Sequence, residues 1–205
     1  QAKLLYEALK KRGSQVQLVS FPDYESDFCL PVIRYLAGDL GENPGDVNAY
    51  AASAFYAIDR YASFKRKWGA FYEEGGTIVC DRYVTSNIVH QAMKIDGDKT
   101  EFIDWLCDFE YGRLGLPVPD AVIFLDMPPE YAKMLMANRK NKITGEAQKD
   151  IHEKNETYLK AAYENALHVC GHLGWNRVCC VENGKIKEIT EIHSEIVSFL
   201  EKKLK

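Results

Sequence analysis

The stretch over residues 77–87, TIVCDRYVTSN, constrains the chain more than any other. A run of β-branched and apolar residues ends in Asp81-Arg82-Tyr83 and passes into polar residues. This reads as a buried strand that delivers a carboxylate and a guanidinium side by side at its end. In open α/β sheets ligands sit outside the carboxyl ends of the strands, so charge placed there can build a site. The plain alternative is a strand capped by a solvated Asp-Arg pair.

Extended and helical segments alternate on both sides of this stretch. The first helix starts at residue 1, with Leu4, Leu5, Ala8 and Leu9 as its apolar stripe and Gly13 as its stop. A strand over 16–21 ends at Pro22, and a polar loop over 23–27 follows. Helices are expected over 30–36 and 47–74, the second stopped by Gly75-Gly76, and then over 88–94 and 101–112. A strand over 121–125 runs into Asp126, and Pro128 and Pro129 open the next helix, where proline is tolerated. Beyond a basic loop, ANRKNKITGE, come a helix over 150–173, a strand over 177–181, a turn at Asn183-Gly184 and a last helix over 189–204. Parallel strands need crossover connections, so this order implies one α/β domain over residues 1–205, a doubly wound parallel sheet flanked by helices.

Composition narrows the function classes. With 46% hydrophobic and 12% aromatic residues the chain has a globular composition, and its net charge of −4 argues against general affinity for nucleic acid or an anionic membrane. No apolar run is long enough to span a bilayer and the N-terminus lacks a signal-peptide pattern, so a cytoplasmic location is expected. The six cysteines form no C-x-x-C pair and are expected to be reduced, without disulfides. His168, Cys170 and His172 cluster, but no second Cys or His pair completes a metal site there.

Two further features carry chemistry. Tyr56 and Arg60 stand four residues apart in a helical segment, so a ring and a guanidinium share one face and can touch one ligand; the alternative is core packing and an ion pair. The basic loop with Arg139, Lys140 and Lys142 is either a solvated charge run or a lid over residues 139–150.

Five motifs occur together: QAKLL at the start, FPDY at 21–24, FYAIDRY at 55–61, DRYVTSN at 81–87 and GLPVPDAVIFLDMPP at 115–129. On these the chain resembles the thymidylate kinase family, P-loop nucleoside monophosphate kinases that convert dTMP to dTDP with ATP and Mg2+. The resemblance implies a five-stranded parallel sheet, a homodimer, and dTMP and ATP as substrates. It also implies roles for residues. Tyr56 stacks on the base and Arg60 donates toward O4, which would reject dCMP more than about tenfold because two donors would face each other. Asn87 lies near N3, with Ser86 in the same turn, Phe21 beside sugar and base, and His90 near the deoxyribose. Arg82 clamps the acceptor phosphate with help from the Tyr24 hydroxyl, and Asp81 belongs to the Mg2+ shell, through water. Arg139, Lys140 and Lys142 close over the transferring phosphoryl group, Arg139 foremost.

The chain departs from the family pattern at two places. Asp23 stands where several relatives carry arginine, and Arg34 is a candidate replacement. Family members also carry a first strand and a G-x-x-x-x-G-K-[ST] loop ahead of QAKLL, whereas no GK[ST] triplet occurs in the 205 residues. Without that loop the chain as written is expected not to bind ATP phosphates productively. Without the central strand it would expose two unpaired edges and an apolar strip, so an N-terminal segment is expected before Gln1. The alternatives are a deoxynucleoside kinase and a non-catalytic nucleotide-binding relative without the loop.

Overall fold

The computed structural model describes residues 1–136 and 155–203. Helix α1 (Ala2–Lys11) ends ahead of Gly13, whose φ of 85° turns the chain into strand β1 (Val16–Ser20). A 3₁₀ turn (Asp27–Cys29) leads into α2 (Leu30–Ala37). Helix α3 (Ala49–Ser63) starts where the Asn48 side chain accepts the Ala51 N–H. It passes through a π-helical turn (Phe64–Trp68) into the short α4 (Gly69–Glu73). Glycine is required at that junction, since a Cβ on Gly69 would sit 2.6 Å from the Phe64 carbonyl oxygen.

Strand β2 (Thr77–Asp81) and helix α5 (Val84–Ala92) follow, then α6 (Thr100–Cys107) and a second π-helical turn (Asp108–Arg113). The remaining elements are β3 (Ile123–Asp126), α7 (Pro129–Met136), α8 (Glu156–His172), β4 (Asn176–Cys179), β5 (Val181–Glu182), β6 (Lys185–Ile186) and α9 (Ile189–Lys203). Strands β5 and β6 form a hairpin on Asn183-Gly184, both at positive φ, as an Asn-Gly turn requires.

The long strands are parallel, as their helical crossovers dictate. β1 pairs with β2 from Val16↔Thr77 to Ser20↔Asp81, and β3 pairs with β4 from Ile123↔Asn176 to Asp126↔Cys179. Among the described residues β2 bonds only to β1 and β3 only to β4, so the five-stranded sheet that the resemblance implies is represented by two parallel pairs. Each pair keeps an open edge, and Leu18 and Leu125 remain 37% and 38% exposed. Helix α1 spans both pairs: it packs on β1 and β2, while its Leu5 joins Val178, Cys180, Ile192 and Ile196 beside β4 and α9.

The polar residues after Asp81-Arg82-Tyr83, expected as a turn, form the first turn of α5. Tyr83 is extended at the N-cap and Val84 is buried, so burial on this side pulls the chain into helix one residue later. Asn87 therefore rides on a rigid element. The main core lies where α5, α6 and α8 meet, around Ile88, Phe102, Ile103, Leu106 and Val169. A second cluster, Phe21, Phe64, Trp68, Tyr83, Val84 and Leu116, lies beneath the ends of β1 and β2. The six cysteines are free, and burial pushes the Cys29 and Cys80 thiols up to about 12, outside the reactive range.

Candidate active site

Because Ser20 and Asp81 are register partners, β1 and β2 end at the same level. The chain after β1, residues 21–24, and the chain after β2, Arg82-Tyr83, therefore leave the sheet side by side. The Phe21 N–H donates to the Asp81 carbonyl at 3.0 Å, which fastens the two exits together. Asp81 itself is exposed, with the Ser20 hydroxyl 3.5 Å from its Oδ2. Arg82 is also exposed and takes φ of 65°, in the left-handed region that L side chains rarely adopt. That turn places its side chain beside α5, where Nη1 lies 3.2 Å from His90 Nε2.

The first exit is held from below. The Asp23 N–H donates to Asp59 Oδ2 at 2.9 Å, and Lys67 Nζ meets Asp23 Oδ2 at 2.5 Å. Asp23, the acidic departure in FPDY, is thus neutralised by Lys67 on the π-helical turn. Arg34, the candidate replacement cation, pairs instead with Asp39 at 3.1 Å past the end of α2. Burial raises the Asp59 carboxyl above its ordinary range, and the Asp23 N–H works against that rise.

Tyr24 and Tyr56 are half-buried. Burial raises the Tyr56 hydroxyl well above its usual value; the nearby Tyr35, Tyr158 and Tyr24 add to the rise and the Arg82 charge opposes it. Tyr24, Tyr35, Arg82 and Tyr158 therefore lie within electrostatic reach of the Tyr56 hydroxyl. Ser86 sits half-buried in the first turn of α5. Phe21 lies in the core, 6.1 Å from the Tyr83 ring, so its expected place beside a ligand is largely occupied by protein.

Arg60 is placed differently from the expectation of a free donor. It is 2% exposed and forms a bidentate pair with Glu110, Nε to Oε2 and Nη2 to Oε1, both at 2.6 Å. Glu110 lies in the second π-helical turn and is fully buried. Asn87 completes the cluster: its Nδ2 donates to Glu110 Oε1 at 3.0 Å and to the Ser53 carbonyl at 3.2 Å. Both partners are pure acceptors, which fixes the amide orientation and leaves Asn87 Oδ1 buried with no protein partner. The Ser53 hydroxyl and both amide atoms of Gln91, four residues along α5 from Asn87, are likewise buried and unpartnered. Buried polar atoms are nearly always satisfied, so among the described residues this cluster marks a ligand surface.

The structure thus brings together Asp81, Arg82 and His90 at the strand end, and Arg60 with Asn87 behind them. It adds Glu110, Asp59, Lys67 and Tyr158, none of which the sequence singled out. A lone carboxylate inside the aromatic run DFEYG was the one available sign of Glu110. Arg139, Lys140 and Lys142 lie outside the described residues. For a cation, the exposed Asp81 carboxylate and Ser20 hydroxyl offer hard oxygen donors of the kind Mg2+ takes, and a lone carboxylate suits an ion that keeps most of its waters. Among the described residues no group of three or more His, Cys, Asp or Glu side chains is set to hold a metal. No helix among them is long and apolar enough to cross a membrane.

Similarity to known proteins agrees with this geometry. The sequence profile described as Thymidylate kinase matches residues 1–177. The thymidylate kinase of Plasmodium falciparum is 28% identical over 206 residues, covering 97% of this chain and 87% of that protein. The thymidylate kinase of Mycobacterium tuberculosis strain H37Rv is 27% identical over 157 residues, covering 76% of this chain and 69% of that one. Among solved structures, the thymidylate kinase from Candida albicans superposes with a TM-score of 0.64 at 17% identity, over 98% of this chain and 86% of that chain. The one from Ehrlichia chaffeensis gives 0.62 at 17% identity, over 97% and 89%; at such identities the likeness shows the fold. With a family profile matched over residues 1–177, the chain belongs to the thymidylate kinase family.

Proposed function

We propose that residues 1–205 form the acceptor half of a kinase that transfers a phosphoryl group from ATP to dTMP. The observation that carries the reading is the orientation of Asn87. With its NH2 committed to Glu110 and Ser53, it presents a buried acceptor, Oδ1. Thymine N3–H is a donor and completes that acceptor; cytosine N3 is a lone pair and would leave it unpaired, at about 1–3 kcal/mol. Arg60 contributes the guanidinium hydrogens that Glu110 does not use, toward the pyrimidine O4. Tyr56 supplies the ring against the base and Ser86 borders the nucleoside, while the buried Phe21 supports the loop from the core.

Arg82 neutralises the acceptor phosphate, with Tyr24 as a second donor, and phosphoryl transfer depends on such positioning and neutralisation more than on covalent chemistry. Asp81, with the Ser20 hydroxyl beside it, would hold Mg2+ through water, and the ion would supply charge neutralisation at the phosphates. ATP phosphates require a cradling loop of the G-x-x-x-x-G-K-[ST] kind, and no GK[ST] triplet occurs in the 205 residues. These residues alone are therefore expected to bind dTMP without turning it over. Self-association belongs to the same reading, supported by exposed Ile58 and Tyr61 on α3.

Calorimetric titration with dTMP, dCMP and thymidine tests the reading. We expect dTMP to bind more than about tenfold tighter than dCMP. Equal affinity for the two would remove the Asn87 argument, and tighter binding of thymidine than of dTMP would select an uncharged acceptor instead.

A further inference from the structure

A hydroxyl on α8 reaches Arg82 through two hydrogen bonds. Arg82 Nη1 is 3.2 Å from His90 Nε2, and His90 Nδ1 is 3.2 Å from the Tyr158 hydroxyl oxygen. A guanidinium carries donors only, so Nε2 must accept. The imidazole proton then belongs on Nδ1, from which it donates to Tyr158 Oη. The hydroxyl hydrogen in turn faces the His90 carbonyl at 3.5 Å. The two rings are nearly parallel, 13° apart with centroids at 6.0 Å, so the bond from Nδ1 holds both in a fixed relation.

Tyr158 is itself held firmly. It is buried in the first turn of α8, where the Asn155 side chain accepts its N–H at 2.9 Å. Seven residues on, two turns along the same helix face, Asn165 Nδ2 donates to the Val89 carbonyl at 2.7 Å and its Oδ1 accepts from Lys99 Nζ at 2.8 Å. Helix α8 is thereby fastened to α5 at two neighbouring residues, Val89 and His90, and to Lys99 ahead of α6. The Arg82 side chain is carried on a strained backbone at φ 65° and exposed to solvent, and among the described residues this relay gives it a defined direction.

We propose that Tyr158 is a positioning residue for the acceptor phosphate: acting through the tautomer of His90, it aims the Arg82 guanidinium. The inference rests on the reading of Arg82 as the phosphate clamp. It differs from a packing role for the tyrosine in what it affects, because a residue acting through Arg82 matters only to ligands that carry a phosphate.

The test compares dTMP with thymidine on wild-type protein and on Tyr158→Phe, which keeps the ring and loses the oxygen. Affinity for dTMP is expected to fall about three- to tenfold, the range for one neutral hydrogen bond, while thymidine affinity stays unchanged. In an Arg82→Ala background the same substitution is expected to change neither. An equal loss for both ligands, an unchanged dTMP affinity, or a loss that persists without Arg82 each overturns the proposal. Nitrogen NMR of the His90 ring gives a second readout that needs no ligand: Nδ1–H in the wild type, shifting toward Nε2–H in Tyr158→Phe. A wild-type ring already protonated on Nε2 overturns the relay. Wild-type protein that binds thymidine as tightly as dTMP overturns the clamp reading itself, and this shows before any variant is made.

Discussion

Strands β2 and β3 both end in aspartate, and the two carboxylates have opposite fates. Asp126 is buried: its Oδ2 accepts Arg177 Nε at 2.9 Å and Nη2 at 2.7 Å, and its Oδ1 accepts the Tyr163 hydroxyl at 2.7 Å. Asp81 is exposed, and the Ser20 hydroxyl at 3.5 Å is a weak partner. The arginines differ in the same direction. Arg60 is enclosed and has its charge paired with Glu110, leaving only spare guanidinium hydrogens, whereas Arg82 stands in solvent on a left-handed backbone. A charge whose bonding capacity is filled by the protein holds the fold, and one left open at a strand end is available to a ligand. Position at the strand end is common to both aspartates, so the partners decide the role.

The largest effect that should separate the two classes is on stability. Replacing Arg60 with Met leaves Glu110 buried without its charge partner, a change that typically costs about 3–5 kcal/mol. Urea unfolding of Arg60→Met should show it, and Arg60→Met with Glu110→Leu should recover much of the loss, since an apolar pair removes the unpaired charge. Asn87 donates to the same carboxylate, so some loss should remain in the double variant. A single variant as stable as wild type would mean that the buried pair does not anchor this end of α3, and the comparison would fail at its structural pole.

Much of the architecture was legible because apolar runs with glycine and proline punctuation mark strands and helices locally. The strand 77–81, the Asn-Gly hairpin turn and the placement of Asp81-Arg82 at a strand end all follow from such signals. What escaped depends on distance or on phase. His90 and Tyr158 are 68 residues apart, and no local pattern joins them. Glu110 sits in a π-helical turn, where the extra residue rotates every later side chain relative to a regular helix, so periodicity read from residue 100 onward misplaces it. Spacing correctly put Tyr56 and Arg60 on one face of α3, but spacing does not reveal that a carboxylate fifty residues away occupies the guanidinium.

At the other pole, Arg82→Ala should leave stability near wild type and weaken dTMP binding about ten- to a hundredfold, the range for a lost charge-assisted hydrogen bond. Arg82→Gly should weaken dTMP equally and also raise stability by roughly 1 kcal/mol, because glycine takes φ near 65° without the clash that a Cβ brings. Thermal unfolding beside calorimetry separates the two effects. If Arg82→Gly gains nothing over Arg82→Ala, the backbone there is unstrained, and the contrast with the enclosed arginine loses its energetic half.

The smallest effect concerns Asp59, which shares features of both classes: buried like Asp126, yet with one oxygen, Oδ1, lacking a partner. Its carboxyl is raised, chiefly by burial, so folding favours the neutral form. The sign follows from linkage. A group with a raised folded value adds stability below its unfolded value near 3.8 and loses it as pH climbs through the folded one. Above its unfolded value the charge on Asp59 therefore costs folding stability. Asp59→Asn keeps an oxygen to accept the Asp23 N–H while removing the charge, and should stabilise slightly, within about 1 kcal/mol. The gain should be greatest near pH 7 and vanish on acidification, once both side chains are neutral. Denaturation midpoints at pH 7 and pH 4 decide the matter. A variant less stable at pH 7 than wild type would show that the Asp59 charge, through Lys67 and Arg60, holds the first exit loop more than burial opposes it, which would move Asp59 into the class of Asp126.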